Sequence, residues 1–273
     1  MVHENILVDV KDGVAKITLN RPEKLNAFNV GMGAELTASF AEFDDNDEVR
    51  VIVVTGAGRA FCAGADLSTG GKTFDRTERP RPEPPRNFVR PWNIKKPIIA
   101  AINGPAVGVG ITLPMQWDIR VAAESARIGF VFVRRGVVPE ALSTWTMPRM
   151  IGLARANELL LTGRIIGARE ALEFGIVSHV WPDNEFMAKT MEMARDIAEN
   201  TAPVSVAITK RLIYGLLAEP EAEKASQVDS RAFVWAGKQP DAYEGVTSFL
   251  EKRKPNWKMK PSKDFPGFLP PVK

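Results

Sequence analysis

The chain has one cysteine, Cys62, in 273 residues, so no intrachain disulfide can form. That usage fits a reducing compartment. Histidine is nearly as scarce. His3 and His179 show no metal-ligand spacing with each other or with Cys62, so no metal site is expected and acid–base work falls to carboxylates. No apolar run reaches the roughly 18 residues of a membrane span. The opening MVHENILVDV has neither the basic segment nor the apolar core of a secretory signal. A soluble, cytoplasmic protein is expected, with no membrane partner. Charge of one sign is lacking too. The 36 basic residues nearly balance 33 acidic ones, for a net charge of +3. This excess is scattered and does not suit nucleic acid. Its local concentrations, Arg76–Arg90 and the C-terminal tail, suit either a solvated surface or an anionic, phosphate-bearing ligand.

Several catalytic signatures are missing as well. No G-x-S-x-G nucleophile elbow and no Walker lysine motif occur. "VVTGAGRA" (Val53–Ala60) starts like a dinucleotide-binding turn but continues Phe61-Cys62 where further glycines would let backbone approach a pyrophosphate. Neither Tyr214 nor Tyr243 has a lysine four residues on. Cys62 has no nearby base to activate it and reads as a small buried residue.

What is present is a chain 45% hydrophobic and 25% charged, long enough for a large core. Ile6–Val10 and Val14–Leu19 alternate around Lys11-Asp12-Gly13 and predict a hairpin. Asn29 can cap a helix with Met32, Leu36, Phe40 and Phe43 on one face. Val49–Thr55, Ile98–Ile102 and Ile119–Ala122 read as buried parallel strands, with a small-residue helix over about Ala106–Met115. Ser68–Asn93, rich in Pro, Gly and Arg, reads as a mobile loop or lid. Beyond residue 140 the chain is mainly helical, with one short strand at Ile176–Trp181 and an extended tail after Pro255. The expectation is an α/β core over 1–200 and a helical segment over 201–273.

Two segments stand out together. "FCAGADL" (Phe61–Leu67) and "NGPAVGVG" (Asn103–Gly110) each follow a buried strand with small residues. Either alone reads as a tight turn packed under a helix. Together they can aim two backbone N–H groups at one point, the arrangement of an oxyanion hole.

These residues, with "NRPEKLNAF" (Asn20–Phe28), "IKKPIIAAINGPAVGVGITL" (Ile94–Leu113) and "GVVPEALSTWTMPRMIG" (Gly136–Gly152), resemble the crotonase superfamily, nearest its enoyl-CoA hydratase/isomerase group. The resemblance covers residues 5–257 in order. It implies a spiral of ββα repeats with C-terminal helices, assembled as a homotrimer or a dimer of trimers. It implies an acyl-CoA thioester as substrate, with coenzyme A arriving as part of it and no permanently bound cofactor. By position, the N–H donors to a thioester enolate would be Ala65 and Val109. Asp66 and the backbone of Ala63 and Leu67 would line the CoA channel. Lys24 and Leu25 would lie near adenine or pantetheine, and Phe249 and Lys252 would reach CoA across a subunit boundary.

The sequence departs from the family at three points. Val109 stands where glycine is usual, and the two glutamates of a hydratase are replaced by Thr112 and Phe132. Glu140 remains, in a Pro139-Glu140-Ala141 turn like that of the Δ3,Δ2-enoyl-CoA isomerase branch, followed by the small polar pair Ser143-Thr144. By itself Glu140 reads as a carboxylate at a helix N-terminus. With the resemblance it becomes the acid/base, with Phe130, Phe132, Val137 and Val138 as a dry wall around it. A binding protein without catalysis, thioester hydrolysis and decarboxylation stay open as alternatives.

Overall fold

Each strand's side chains alternate between two faces, and here both faces are covered. The computed structural model describes residues 3–75 and 89–272. In chain order its strands are β1 (Ile6–Lys11), β2 (Val14–Leu19), β3 (Val51–Gly56), β4 (Ile98–Ile102), β5 (Ala106–Val107), β6 (Ile119–Ala123), β7 (Arg127–Gly129), β8 (Ile165–Gly167) and β9 (His179–Trp181). The helices are α1 (Val30–Asp45), α2 (Val109–Thr112), α3 (Ser143–Thr162), α4 (Ala168–Phe174), α5 (Asp183–Asn200), α6 (Pro203–Leu216), α7 (Ala222–Ala236), α8 (Pro240–Leu250) and α9 (Pro261–Asp264).

The main sheet has the order β1-β2-β3-β4-β6-β9, parallel except for the β1–β2 hairpin. A second, small sheet orders β5-β7-β8. Val51 and Val53 on one face of β3 pack with Ile99, Ala101 and Val121 against Phe186, Ala194 and Ala198 of α5. Ile52 and Val54 on the other face join Ile98, Ala100 and Ile102 in the large core with Met32, Leu36, Phe40 and Phe43 of α1. The Asn29 side chain caps α1, accepting from Met32 N at 2.7 Å. Gly163 and Gly175 end α3 and α4 in left-handed conformation.

The C-terminal helices are tied to the sheet through α6. Lys210 Nζ donates to Asp118 Oδ2 at 2.7 Å and to the Lys96 carbonyl at 3.0 Å, and Tyr214 donates to Asp118 Oδ1 at 3.1 Å. Asp118 also accepts from the N–H of Ile98, the first residue of β4. Burial pushes the Lys210 ammonium down, and the Asp118 carboxylate pushes it back up.

Several expected elements differ. The helix expected over Ala106–Met115 is one turn, because Ala106–Val107 pairs as β5 and Pro114 opens a separate 3-10 turn. Strands β7 and β8 have only three residues each, too few to show alternation in sequence. The tail contains the short α9, where Ser262 bonds Asp47. Half of the lid expected over Ser68–Asn93 lies outside the described residues, and the described half holds two 3-10 turns, Gly70–Lys72 and Pro91–Asn93.

Candidate active site

The two small-residue segments meet at the ends of β3 and β4. Cys62 pairs in parallel with Ala106, and Val107 N donates to the Cys62 carbonyl at 2.9 Å. The fit is close enough to dictate residue type. A Cβ on Gly110 would stand 2.2 Å from the Cys62 carbonyl oxygen. On the other side, Phe28 pairs with Ala65: Phe28 N donates to the Gly64 carbonyl at 2.7 Å, and Asp66 N donates to the Phe28 carbonyl at 2.9 Å.

That pattern uses the Gly64 carbonyl and the Asp66 N–H, on either side of Ala65, but not the N–H of Ala65 itself. Among the described residues the Ala65 N–H donates to no protein acceptor, and neither does the Val109 N–H, which opens α2. Both residues are half-buried. The β-branched Val109 is no obstacle. The unusual backbone falls on Gly108, at φ 56° and ψ −124°, and the close approach falls on Gly110.

Glu140 sits outside α3, two residues before Leu142, which precedes the first turn. Its backbone carbonyl accepts from Ser143 N at 3.1 Å and from Ser143 Oγ at 2.7 Å. The connecting residues Ala141 and Leu142 are both left-handed, at φ 51° and 60°. Two such non-glycine residues cost about 1–3 kcal/mol each. The strained turn swings the half-buried Glu140 side chain to α2, where the Thr112 hydroxyl donates to its Oε1 at 2.6 Å. Glu140 is thus not a carboxylate in the first turn of a helix.

The expected dry wall is partly corrected. Phe130 is fully buried, and the Phe132 ring lies 4.0 Å from where a Cβ on Gly108 would be. Val137 is half-buried, but Val138 is 78% exposed and no part of this core. Gly136, left-handed at φ 69°, ends the 3-10 turn Val131–Arg135 just before these two valines.

Of the residues expected along CoA, the structure gathers five. The Leu25 carbonyl accepts from Ala63 N at 3.0 Å. Asp66 is engaged by Arg21 at 2.7 Å, by Ser68 N at 3.0 Å and by Lys24 at 3.8 Å, while Leu67 stands exposed beside it. The Arg21 guanidinium holds the Asp66 carboxyl well below the usual carboxylate range. Arg21 escaped the sequence reading, although it lies within "NRPEKLNAF". Phe249 and Lys252 are not brought to this place within one chain. Phe249 is on α8 and Lys252 lies two residues past its end, and α8 packs through Gly245 on Trp257, which bonds the Glu199 carbonyl. Neighbouring Ala198 is bonded by Arg50, where β3 begins, at the opposite end from Gly56.

Cys62 lies under the site with its thiol pushed up to about 11 by burial. Native protein at pH 8 is therefore expected to resist iodoacetamide over hours, and to react within minutes once unfolded in guanidinium. Mass-detected alkylation measures both, and rapid labelling of the native form would refute the burial argument. Among the described residues no group of three His, Cys, Asp or Glu side chains is placed to hold a metal ion. No helix among them is long and apolar enough to cross a membrane.

Comparison with known proteins gives the family and the fold. A family model described as enoyl-CoA hydratase/isomerase matches residues 9–260. An enoyl-CoA hydratase of Alternaria alternata is 42% identical over 251 residues, covering 90% of this chain and 83% of the relative. The 1,2-epoxyphenylacetyl-CoA isomerase of Escherichia coli is 36% identical, covering 93% of this chain and 98% of its own. A solved structure of a probable enoyl-CoA hydratase/isomerase from Mycobacterium abscessus superposes with a TM-score of 0.88 at 38% identity, covering 95% of this chain and 100% of that one. The chain therefore belongs to the enoyl-CoA hydratase/isomerase family of the crotonase superfamily, and has its fold.

Proposed function

We propose that this acyl-CoA enzyme stabilises a thioester enolate between the N–H groups of Ala65 and Val109, with Glu140 as its single acid/base, and that allylic isomerisation is its reaction. One observation carries the reading. The Glu140 carboxylate contacts Thr112 on α2, the same four-residue helix that Val109 opens. In a 3-enoyl thioester, Glu140 removes a proton from C2. The electrons move onto the carbonyl oxygen between the two N–H groups, where each donor contributes about 3–4 kcal/mol. The double bond shifts from C3–C4 to C2–C3, and Glu140 returns the proton at C4. One carboxylate suffices for this cycle. Hydration asks for water activation as well, and Thr112 and Phe132 supply no second base. That a CoA-thioester isomerase stands among the relatives supports the choice.

Lys24, Leu25, Ala63, Asp66 and Leu67 would then line the CoA channel. Phe249 and Lys252 would come from a neighbouring subunit of a homotrimer or dimer of trimers. The exposed Phe233, Tyr243, Val246, Phe249 and Leu250 on α7 and α8 support such an assembly. A cytoplasmic location suits a CoA-dependent enzyme with one buried thiol.

The test is turnover of 3-hexenoyl-CoA and crotonyl-CoA in deuterated water. Isomerised 2-hexenoyl-CoA, with any solvent deuterium it carries at C4 and with slow or no hydration of crotonyl-CoA, is the expected result. Tight calorimetric binding of both thioesters with no turnover and no exchange would instead make the protein a binder. Rapid hydration with no isomerisation would make it a hydratase by another route.

A further inference from the structure

The Thr112 hydroxyl meets two acceptors. It lies 2.6 Å from Glu140 Oε1 and 3.3 Å from the Gly108 carbonyl oxygen. A hydroxyl has one proton to donate. The shorter distance and the carboxylate acceptor decide for Glu140. The Gly108 carbonyl is already served, since Ile111 N and Thr112 N both reach it at 3.0 Å. The helix therefore does not need this hydroxyl.

The two partners differ in how firmly they are held. Thr112 is fully buried and sits one turn along α2, which Gly110 presses against Cys62. Its β-branched side chain has few rotamers to choose from. Glu140 lies in a turn, half-buried, on a side chain with three rotatable bonds. Its backbone is fixed by Ser143, but that bond does not aim the carboxylate. The Gly108 carbonyl and the Val109 N–H belong to one planar peptide unit. The hydroxyl that holds the carboxylate thus also lies against the peptide that presents the Val109 N–H.

We propose that Thr112 is a positioning residue of Glu140, a claim that rests on the enolate reading above. Its hydroxyl locks the carboxylate to α2, so that the base and the Val109 donor keep a fixed relation while the proton moves from C2 to C4. Thr112 itself neither takes nor gives the reacting proton. It acts through the carboxylate, by shortening the search for a reactive orientation.

The experiment compares T112V, T112A and T112S, alone and with E140Q, on 3-hexenoyl-CoA. T112V keeps the shape and removes the hydroxyl, and T112A serves the same purpose with a smaller side chain. The expected result is a fall in kcat of about 10²-fold for T112V, with KM within about twofold. T112S should recover kcat to within about threefold of wild type, because the hydroxyl is restored. In the E140Q background T112V should cost nothing further, since the group it positions is no longer a base. Three outcomes overturn the proposal: wild-type kcat in T112V or T112A, T112S as slow as T112V, or an equal T112V penalty with and without E140Q. A lowered melting temperature with unchanged kcat would make Thr112 structural only. The enolate reading fails separately, if E140Q turns over like wild type. E140Q slow with T112V fast sinks only the positioning role.

Discussion

Glu140→Gln is expected to lower kcat on 3-hexenoyl-CoA by about 10³-fold or more while the protein stays folded. General acid–base catalysis by one positioned side chain contributes typically about 10²–10⁴-fold. Glu140 works twice per cycle in the proposed isomerisation, once as base at C2 and once as acid at C4, which places its loss in the upper part of that range. Glutamine is nearly isosteric, and its carbonyl oxygen can still accept from Thr112 Oγ1, the bond now measuring 2.6 Å. The backbone anchor through Ser143 is untouched. The melting temperature should therefore stay within about 2 °C. Loss of the C2 proton should collapse with kcat, because proton abstraction itself is lost. Wild-type turnover in E140Q would remove this residue from the chemistry.

The second large effect comes from a methyl group that touches no substrate. Gly110→Ala would place a Cβ 2.2 Å from the Cys62 carbonyl oxygen and 2.9 Å from the Cys62 carbonyl carbon. The obstacle is backbone, and the same carbonyl accepts from Val107 N. Relief requires the two turns to part, and with them the N–H groups of Ala65 and Val109. Overpacking of this kind costs about 1–3 kcal/mol or more. For a chain of this size that corresponds to a melting temperature lower by roughly 2–6 °C. A displacement of about 1 Å at the donors should cost about 10²-fold in kcat. Gly267→Ala is the control. Its Cβ would meet nothing within 4 Å, so stability should stay within about 0.5 kcal/mol. Equal melting temperatures and equal kcat for the two variants would refute the seam.

The β1–β2 hairpin, the Asn29 cap and the buried strands β3, β4 and β6 were legible because each rests on local signals: alternation, a capping side chain and runs of β-branched residues. The glycines of Gly108–Gly110 marked a turn, but not that Gly108 carries the positive φ and thereby leaves Val109 in ordinary helical backbone. That distinction depends on Cys62 pressing on Gly110 from 48 positions earlier in the chain. Glu140 was legible as an isolated charge among apolar neighbours. Its partner was not. Thr112 drew notice only as a missing carboxylate, and the left-handed Ala141-Leu142 turn that brings Glu140 to it has no glycine to announce it. Val138 failed as part of a wall for a related reason, since hydrophobicity alone does not tell which way a loop residue points.

The Lys210–Asp118 pair has a bearing on how the protein is made. The two residues are separated by 92 positions. At about 5–20 residues per second, a ribosome takes roughly 5–20 s to synthesise that interval. During this time β4 and β6 can emerge, but the carboxylate at their shared edge waits for its ammonium and for the Tyr214 hydroxyl. Both arrive together on α6. The strands that end at the candidate site are thus sealed at their far ends late, by a helix that contributes nothing to the site in its own chain.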